Sequence, residues 1–240
     1  MLDRENPILC YVTDRQSLSV RLEVAETALV EKVTAIAAAG VDWVQVREKD
    51  LPARRLAALT REVLARTRSS GSNRAQRIIV NDRVDVAVTE GLDGVHLGES
   101  GLPVIDVAKW AKRTACGVVI SDHGAASQFL FRGNGKFLIG ASCHSLESAK
   151  AAARDGADYI FFGPVFATPS KAQFGEPQGV KKLAEVCVAV PVPVIAIGGI
   201  TLKNAGECTA AGAAGIAAIR LFQDAGDPAE TISALRESHR

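Results

Sequence analysis

The chain has 240 residues, of which 48% are apolar and 5% are aromatic, and its formal net charge is +1 at pH 7. This length and apolar content are sufficient for a sizeable core, and α/β barrels of this length usually form one domain. The near-neutral charge, with Lys and Arg scattered along the chain, argues against nucleic acid as a partner, and the scarcity of aromatic residues disfavours a base-stacking surface.

The first residues and the cysteines predict a cytoplasmic protein without a membrane partner. Met1 is followed by Leu-Asp-Arg-Glu-Asn-Pro, which does not have the pattern of a secretory signal peptide. No apolar run in the sequence approaches the ~20 residues that a membrane span needs. The five cysteines form no C-x-x-C pair and most lie in apolar runs, which is typical of buried thiols in a reducing compartment.

Short apolar runs alternate along the chain with stretches rich in Ala and Leu. The apolar runs are nearly continuous in Val, Ile and Phe, as expected for strands that are covered on both faces. Strands are predicted at residues 8–13, 41–47, 77–81, 94–97, 137–143, 158–165, 193–199 and 215–222. Helices are predicted at residues 24–39, 52–68, 83–90, 103–113, 145–155, 180–189, 202–211 and 228–238.

A weak internal repeat supports this assignment. In four places a predicted helix ends at a glycine, and a small or acidic step then leads into a buried strand; these glycines are Gly40, Gly91, Gly156 and Gly212. Eight strand–helix units in a chain of this length indicate an α/β fold, a (β/α)₈ TIM barrel in a single domain over residues 1–240. The alternative is an open doubly wound sheet, whose G-x-G-x-x-G motif is missing after the first predicted strand.

One connection is longer than the others. Residues 116–136 lie between a predicted helix and the fifth predicted strand, and this length exceeds that of most such connections. We interpret the stretch as an insertion, near the lower face of the barrel or at an oligomer contact such as a homodimer interface.

Polar residues collect at the predicted carboxyl ends of the strands, where barrels place their active sites. Cations together with free backbone N–H groups at helix N-termini bind phosphate, so the pattern predicts a phosphorylated ligand. Gly198-Gly199 lies where many barrels hold phosphate, and Asp82 suits Mg²⁺, which takes one or two carboxylates plus phosphate oxygens. The full set comprises Gln45, Arg47, Glu48, Lys49, Asn81, Asp82, His96, Glu99, Ser142, His144, Thr168, Ser170, Lys171, Gly198, Gly199, Ile219 and Arg220.

Each part of this set also has a purely structural interpretation. Asn81-Asp82 could form a helix N-cap, and Arg47-Glu48 could form a structural ion pair. His96 could be a core histidine, Gly198-Gly199 a tight turn, and His144-Ser145 the start of a helix with Ser145 as its N-cap. A Schiff base on Lys49 or Lys171, as in barrel aldolases, lacks the apolar pocket that would lower the pKa of an amine. The coincidence of polar or glycine residues at seven strand ends nevertheless favours a functional site.

At these residues the chain resembles the thiamine phosphate synthase and thiazole tautomerase superfamily. The resemblance covers about residues 8–222, and its motifs are short individually but specific together. The matching motifs are "QVREK" (45–49), "VNDRVDVA" (80–87), "DGVHLGE" (93–99), "GASCHS" (140–145), "GADYIFFGPVFATPSK" (156–171) and "PVIAIGGITLKNAGECTAAGAAGIA" (193–217).

The resemblance implies a Mg²⁺-dependent synthase that joins two phosphorylated thiamine halves. Hydroxymethylpyrimidine diphosphate loses pyrophosphate, and the thiazole phosphate nitrogen attacks the methylene carbon. By position, the pyrimidine diphosphate would be bound by Gln45, Arg47, Glu48, Lys49, Asn81, His96, Ser142 and Lys171. The thiazole phosphate would be bound by Thr168, Ser170, Gly198, Gly199, Ile219 and Arg220. Asp82 would hold Mg²⁺, and the candidate catalytic residues are Arg47, Lys49, Lys171 and His144.

Two positions depart from the synthase pattern. The second carboxylate expected three residues after Gly98 is Gly101 here, so Glu99 or water would complete the metal shell. Arg220 stands where the pattern has Ser. These departures leave two alternatives: a thiazole tautomerase, which needs no Mg²⁺ and would use His144 as acid and base, or a non-catalytic protein that binds a phosphorylated ligand.

Overall fold

The computed structural model describes residues 6–18, 21–69, 76–115, 136–168 and 176–237. Within these ranges, parallel strands close into a barrel in which each strand pairs with its neighbours in sequence and the last pairs with the first. The strands are β1 Ile8–Val12, β2 Trp43–Val46, β3 Arg77–Asn81, β4 Gly94–Leu97, β5 Leu138–Cys143, β6 Tyr159–Phe162, β7 Val194–Ile197 and β8 Gly215–Ala218. The predicted (β/α)₈ barrel is therefore confirmed, and an open sheet is excluded.

Helices follow the strands around the outside of the barrel. They are α1 Leu22–Ala38, α2 Ala53–Ser69, α3 Val84–Thr89, α4 Val104–Ala115, α5 Leu146–Asp155, α6 Gly179–Ala189, α7 Ala205–Ala210, α8 Arg220–Gln223 and α9 Pro228–Glu237, with a 3-10 helix at Arg15–Ser17. The four glycines predicted to end helices all have positive φ, between 64° and 105°, as a left-handed cap requires.

Two layers of side chains bury both faces of the strands. Leu9 and Tyr11 of β1 pack outward against the helices, whereas Cys10 and Val12 point into the lumen with an apolar cluster from the other strands. This alternation follows from the period of two along a strand. Because both faces are covered, most strand positions are apolar, which explains the nearly continuous apolar runs in the sequence.

The last strand differs from its prediction. The run 215–222 was expected to be extended, but β8 ends at Ala218. Ile219 has φ −91° and ψ −75°, and α8 begins at Arg220. The apolar sequence of this stretch suits a buried helical turn as well as a strand, because periodicity does not distinguish them over so few residues. As a result, Arg220 starts a helix and its side chain is exposed.

Three further predictions concern the insertion, membrane spans and the cysteines. Residues 116–135 of the proposed insertion lie outside the described residues, so its structure and its contact role remain predictions. No helix in the described ranges combines the length and apolar character of a membrane span. The cysteines within those ranges are free thiols, with Cys10, Cys143 and Cys208 buried and Cys187 partly exposed.

Candidate active site

A chain of hydrogen bonds links the carboxyl ends of β2, β3 and β4. Gln45 Nε2 donates to Asn81 Oδ1 at 2.9 Å, and Asn81 Nδ2 donates to Asp82 Oδ2 at 2.6 Å. The Gly98 backbone N–H donates to Asp82 Oδ1 at 2.6 Å. The Gln45 side chain is buried with 2% exposure, and its Oε1 has no hydrogen-bond partner among the described residues. Buried polar atoms are rarely left in this state, so Oε1 is an acceptor suited to a ligand.

Asp82 is held in an uncommon backbone conformation. Its φ is +60°, a region that few non-glycine residues adopt, and its N–H donates to the His96 carbonyl at 2.8 Å. The N-cap of α3 is Arg83, without a side-chain cap bond. The interpretation of Asp82 as a helix cap is therefore wrong, and its carboxylate instead faces the loop after β4.

The surroundings of Asp82 are compatible with one bound Mg²⁺. Each carboxylate oxygen accepts one hydrogen bond and keeps a further lone pair for a cation. A Cβ placed on Gly101 would lie 2.7 Å from Asp82 Oδ1, so a side chain at 101 would require the carboxylate to shift. The described residues contain no group of three or more His, Cys, Asp or Glu side chains that could hold a metal. Asp82 would therefore rely on water and phosphate oxygens to complete the shell, which Mg²⁺ tolerates.

Glu99 has a different neighbour. Its side chain is 67% exposed, and its Oε2 lies 3.9 Å from His144 Nε2. His144 Nδ1 is hydrogen-bonded to the Gly163 carbonyl, which orients the ring. The metal role of Glu99 and the catalytic role of His144 both remain predictions.

Ser145 follows His144 and begins α5. Its Oγ accepts the Ser148 N–H at 3.0 Å, and Ser148 Oγ accepts the Ser145 N–H at 3.1 Å. This reciprocal pair is a capping box. The N-cap predicted for Ser145 is thus confirmed, and Ser148 completes it.

His96 lies in the lumen with both ring nitrogens engaged. Its side chain is 1% exposed, with Nε2 at 2.9 Å from Ser142 Oγ and Nδ1 at 3.2 Å from Tyr159 Oη. The ring also packs on Phe161, with centroids 4.3 Å apart. Burial, and secondarily the Arg47 cation, lowers the pKa of His96 to about 3, so the imidazole is neutral at physiological pH.

Tyr159 is not predicted from the sequence, because it lies at the start of β6, away from the carboxyl ends of the strands. One signal for it exists. A Cβ on Gly140 would lie 2.1 Å from Tyr159 Cζ, so the phenol fills the space left by the missing side chain. A glycine inside a buried strand marks such a close approach.

Glu48 forms a structural ion pair, but its partner is Arg15 and not the adjacent Arg47. Its Oε2 pairs with Arg15 Nη1 at 2.9 Å, and its Oε1 accepts the Thr13 hydroxyl at 2.6 Å. The predicted ion pair between Arg47 and Glu48 is therefore wrong. Because Glu48 is buried and these groups occupy its carboxylate, it joins the end of β2 to the end of β1. Its proposed contact with a substrate would have to compete with both bonds.

The two cations of the same motif lie nearer to solvent. Arg47 is half-buried, and its backbone N–H donates to Thr13 Oγ1 at 2.9 Å. Lys49 is exposed. The positive charge of Arg47 contributes to the lowered pKa of His96.

Gly198 and Gly199 form the turn directly after β7, with φ of +96° and +65°. A Cβ on Gly198 would lie 2.5 Å from Pro164 Cβ, and one on Gly199 would lie 2.5 Å from the Ala167 carbonyl oxygen. The Phe166 N–H donates to the Gly198 carbonyl at 3.0 Å. The predicted tight turn is therefore confirmed. The absence of side chains on it also lets the loop after β6 lie directly against it.

The remaining predicted residues are distributed unevenly. Thr168 is half-buried in the loop between β6 and α6, where it has a polar contact. Ile219 and Arg220 lie at the start of α8, directly after β8, the neighbour of β7. Ser170 and Lys171 lie outside the described residues, so their placement remains a prediction.

A family model described as thiamine monophosphate synthase matches residues 9–130 and 130–222. The chain belongs to the thiamine monophosphate synthase family. A relative from Geobacter sulfurreducens is 43% identical over 95% of this chain and 92% of its own length. The thiamine-phosphate synthase of Roseiflexus castenholzii is 37% identical over 95% of this chain and 86% of its own length.

A solved structure agrees with this membership of the thiamine monophosphate synthase family. The thiamine phosphate pyrophosphorylase of Pyrococcus furiosus has a TM-score of 0.75 and 29% identity, covering 99% of this chain and 98% of its own. The family expected from the sequence motifs and the barrel expected from the eight strand–helix units are thus both confirmed. The roles of individual residues are not tested by these similarities.

Proposed function

We propose that this protein is a thiamine phosphate synthase. It would transfer the pyrimidinylmethyl group of hydroxymethylpyrimidine diphosphate to thiazole phosphate and release pyrophosphate. The observation that carries the proposal is the hydrogen-bonded chain from Gln45 through Asn81 to Asp82. This chain joins Gln45 Oε1, a buried acceptor without a partner among the described residues, to the Asp82 carboxylate, which is suited to a metal. Arg47 and Lys49 follow Gln45 in the sequence and would add positive charge.

The pyrimidine would occupy the lumen beside Gln45 and His96. Gln45 Oε1, which lacks a partner among the described residues, would accept a hydrogen bond from a donor such as the pyrimidine amino group. The neutral His96 ring adds no positive charge near a pyrimidine cation that forms when pyrophosphate departs. Phe161 lines the wall beside this ring and helps to exclude water, which would otherwise compete as a nucleophile.

The diphosphate would lie at the rim, where positive charge and hydrogen-bond donors collect. Arg47 and Lys49 would neutralise the leaving group, with Lys171 from the β6 loop, and Ser142 would donate a hydrogen bond. Asp82 would hold Mg²⁺ there, and water and phosphate oxygens, rather than the exposed Glu99 carboxylate, would complete the shell. When bound, Mg²⁺ would offset the negative charge that develops on the departing pyrophosphate.

The thiazole phosphate would bind on the opposite side of the mouth. Gly198 and Gly199 carry no side chains of their own, and their backbone N–H groups would bind the phosphate. Thr168 and Ser170 would add hydroxyl donors, while Ile219 and Arg220 would close the site from β8. The partners of the protein would therefore be small phosphorylated molecules.

One observation favours a second candidate, the thiazole tautomerase. His144 is oriented by the Gly163 carbonyl and faces the Glu99 carboxylate at 3.9 Å. An imidazole held next to a carboxylate is suited to moving a proton. This chemistry would not need Asp82 or the Lys49 cation, so those residues favour the synthase.

The test is a substrate-omission assay with the purified protein. Hydroxymethylpyrimidine diphosphate, thiazole phosphate and Mg²⁺ are mixed with the protein, and thiamine phosphate and pyrophosphate are measured. We expect equal amounts of both products, and neither when one substrate or Mg²⁺ is left out. Conversion of the thiazole carboxylate tautomer without metal, and no condensation, would support the tautomerase. Binding of both substrates without either reaction would support a non-catalytic protein.

A further inference from the structure

The Tyr159 phenol has a proton that needs an acceptor inside the barrel. Tyr159 is buried, and among the described residues its hydroxyl contacts one hydrogen-bonding group, His96 Nδ1 at 3.2 Å. Burial raises the pKa of Tyr159 well above its usual value, so the phenol keeps its proton. A buried donor without an acceptor is destabilising, so the phenol must donate to His96 Nδ1.

This donation determines which nitrogen of His96 carries the hydrogen. A neutral imidazole has one donor and one acceptor nitrogen, and the partner of one decides the state of the other. Because Nδ1 accepts from Tyr159, the ring hydrogen resides on Nε2. Nε2–H then donates to Ser142 Oγ at 2.9 Å. The Ser142 hydroxyl hydrogen is left free to point elsewhere.

We propose that Tyr159 is a positioning residue that acts through His96 to make the Ser142 hydroxyl a hydrogen-bond donor toward the barrel mouth. Ser142 is half-buried near the end of β5, so a ligand at the mouth can receive this hydrogen. The identity of that ligand rests on the proposed function: it is an oxygen of the diphosphate. With the opposite tautomer, Ser142 would donate to Nε2 and present only lone pairs to an anion.

The packing around the phenol indicates why the tyrosine can be tested by removing its hydroxyl alone. The ring is held by an edge contact with Trp43 at 4.8 Å and by Phe161 at 5.4 Å between centroids. It also occupies the space above Gly140. Tyr159→Phe keeps all of these ring contacts and removes only the proton that Nδ1 accepts.

The first arm of the test reads the tautomer directly in ligand-free protein. Long-range ¹H–¹⁵N NMR distinguishes Nδ1–H from Nε2–H for each of the four histidines, and His96→Gln assigns the His96 signals. We expect Nε2–H in the wild type and a mixture of tautomers in Tyr159→Phe. Tyr11→Phe is the matched control, because its buried hydroxyl donates to Gln223 at 2.7 Å instead, and it should leave the His96 signals unchanged. Nδ1–H in the wild type would overturn the proposal.

The second arm measures coupling to the ligand, with inorganic pyrophosphate and Mg²⁺ as the probe in calorimetry. Losing one hydrogen bond to a charged group should weaken binding by about tenfold in Ser142→Ala, and a tautomer mixture should weaken it by about threefold in Tyr159→Phe. If Tyr159 acts through Ser142, Tyr159→Phe has no further effect in the Ser142→Ala background. Two effects that simply add would reduce Tyr159 to a structural residue and contradict the proposal. Absence of pyrophosphate binding to the wild type would count against the proposed function, while the NMR arm still decides the role of Tyr159.

Discussion

Single residues at the rim owe their positions to contacts that reach across strands. Asp82 combines an uncommon positive φ with hydrogen bonds from Asn81 and Gly98. A non-glycine residue in this conformation is disfavoured by about 1 kcal/mol or more, so the surrounding bonds must compensate for it. Strain of this kind is concentrated at functional sites, which is consistent with the role proposed for Asp82.

Substitution of Glu99 tests whether a second carboxylate takes part in metal binding. Because its side chain is largely exposed and faces His144, we expect Glu99→Gln to change the Mg²⁺ midpoint of turnover by no more than about twofold. The measurement is a Mg²⁺ titration of thiamine phosphate formation. A several-fold rise in the midpoint would instead place Glu99 in the metal shell.

Sequence reasoning reached the residues whose position in the chain carries the signal, and it missed those whose partners lie on another strand. Gln45, Asn81 and Asp82 lie at the carboxyl ends of apolar runs, so the barrel topology alone brings them to one rim. Arg15 begins the short 3-10 helix after β1, and nothing in the sequence pairs it with Glu48. That pairing depends on the neighbouring ends of β1 and β2, which only the folded barrel brings together.

At the scale of elements, the turn after β7 and the loop after β6 depend on each other. Gly199 has φ +65°, and a Cβ at this position would lie 2.5 Å from the Ala167 carbonyl oxygen. The short α8 replaces the last part of the predicted eighth strand, so Arg220 begins a helix instead of continuing β8. Both features arise from packing at the rim, and apolar periodicity carries no information about them.

Gly199→Ala should damage this turn. The new Cβ would meet backbone atoms and would require a left-handed conformation, so we expect a loss of about 1–3 kcal/mol in the free energy of unfolding. We also expect the substitution to raise the KM for thiazole phosphate more than the KM for the pyrimidine diphosphate. Denaturant unfolding and steady-state kinetics measure the two effects.

Gly226→Ala is the matched control, because no heavy atom lies within 4 Å of a Cβ built there. It should leave stability and both KM values close to those of the wild type. Equal effects of the two substitutions would contradict a specific role for the turn after β7.

At the scale of the whole molecule, a charge network at the rim holds together the ends of the first two strands of the barrel. Arg15 pairs with Glu48 at 2.9 Å and with Asp50 at 2.5 Å, joining the ends of β1 and β2. Removing Arg15 would leave the Glu48 carboxylate buried without its countercharge, which is strongly destabilising. The network therefore makes the shape of the rim depend on ionised carboxylates.

This dependence predicts a specific response to acid. The hydrogen bond from the Arg15 guanidinium lowers the pKa of Asp50 below its usual value. In the unfolded chain this carboxyl titrates near 3.9. The pair therefore stabilises the fold fully above that pH, and the stabilisation is lost as the pH falls through the lower native pKa. Because Asp50 is half exposed, solvent screening keeps the contribution small.

Asp50→Asn should accordingly be less stable than the wild type at neutral pH, and this gap should narrow in strong acid. Urea unfolding at several pH values measures the gap. Asp106→Asn, on the exposed side of α4, is the control and should show no such pH dependence. A gap of constant size for Asp50→Asn would contradict the assignment.

The most direct test of the proposed active site is the rate of thiamine phosphate formation by Asp82→Asn as Mg²⁺ is titrated. Loss of the carboxylate should lower kcat/KM by about 100-fold or more and shift the Mg²⁺ midpoint upward. Asp85→Asn is the matched control, because Asp85 is exposed and pairs with Arg83, and it should keep the wild-type rate. Wild-type turnover and an unchanged Mg²⁺ midpoint in Asp82→Asn would contradict the account.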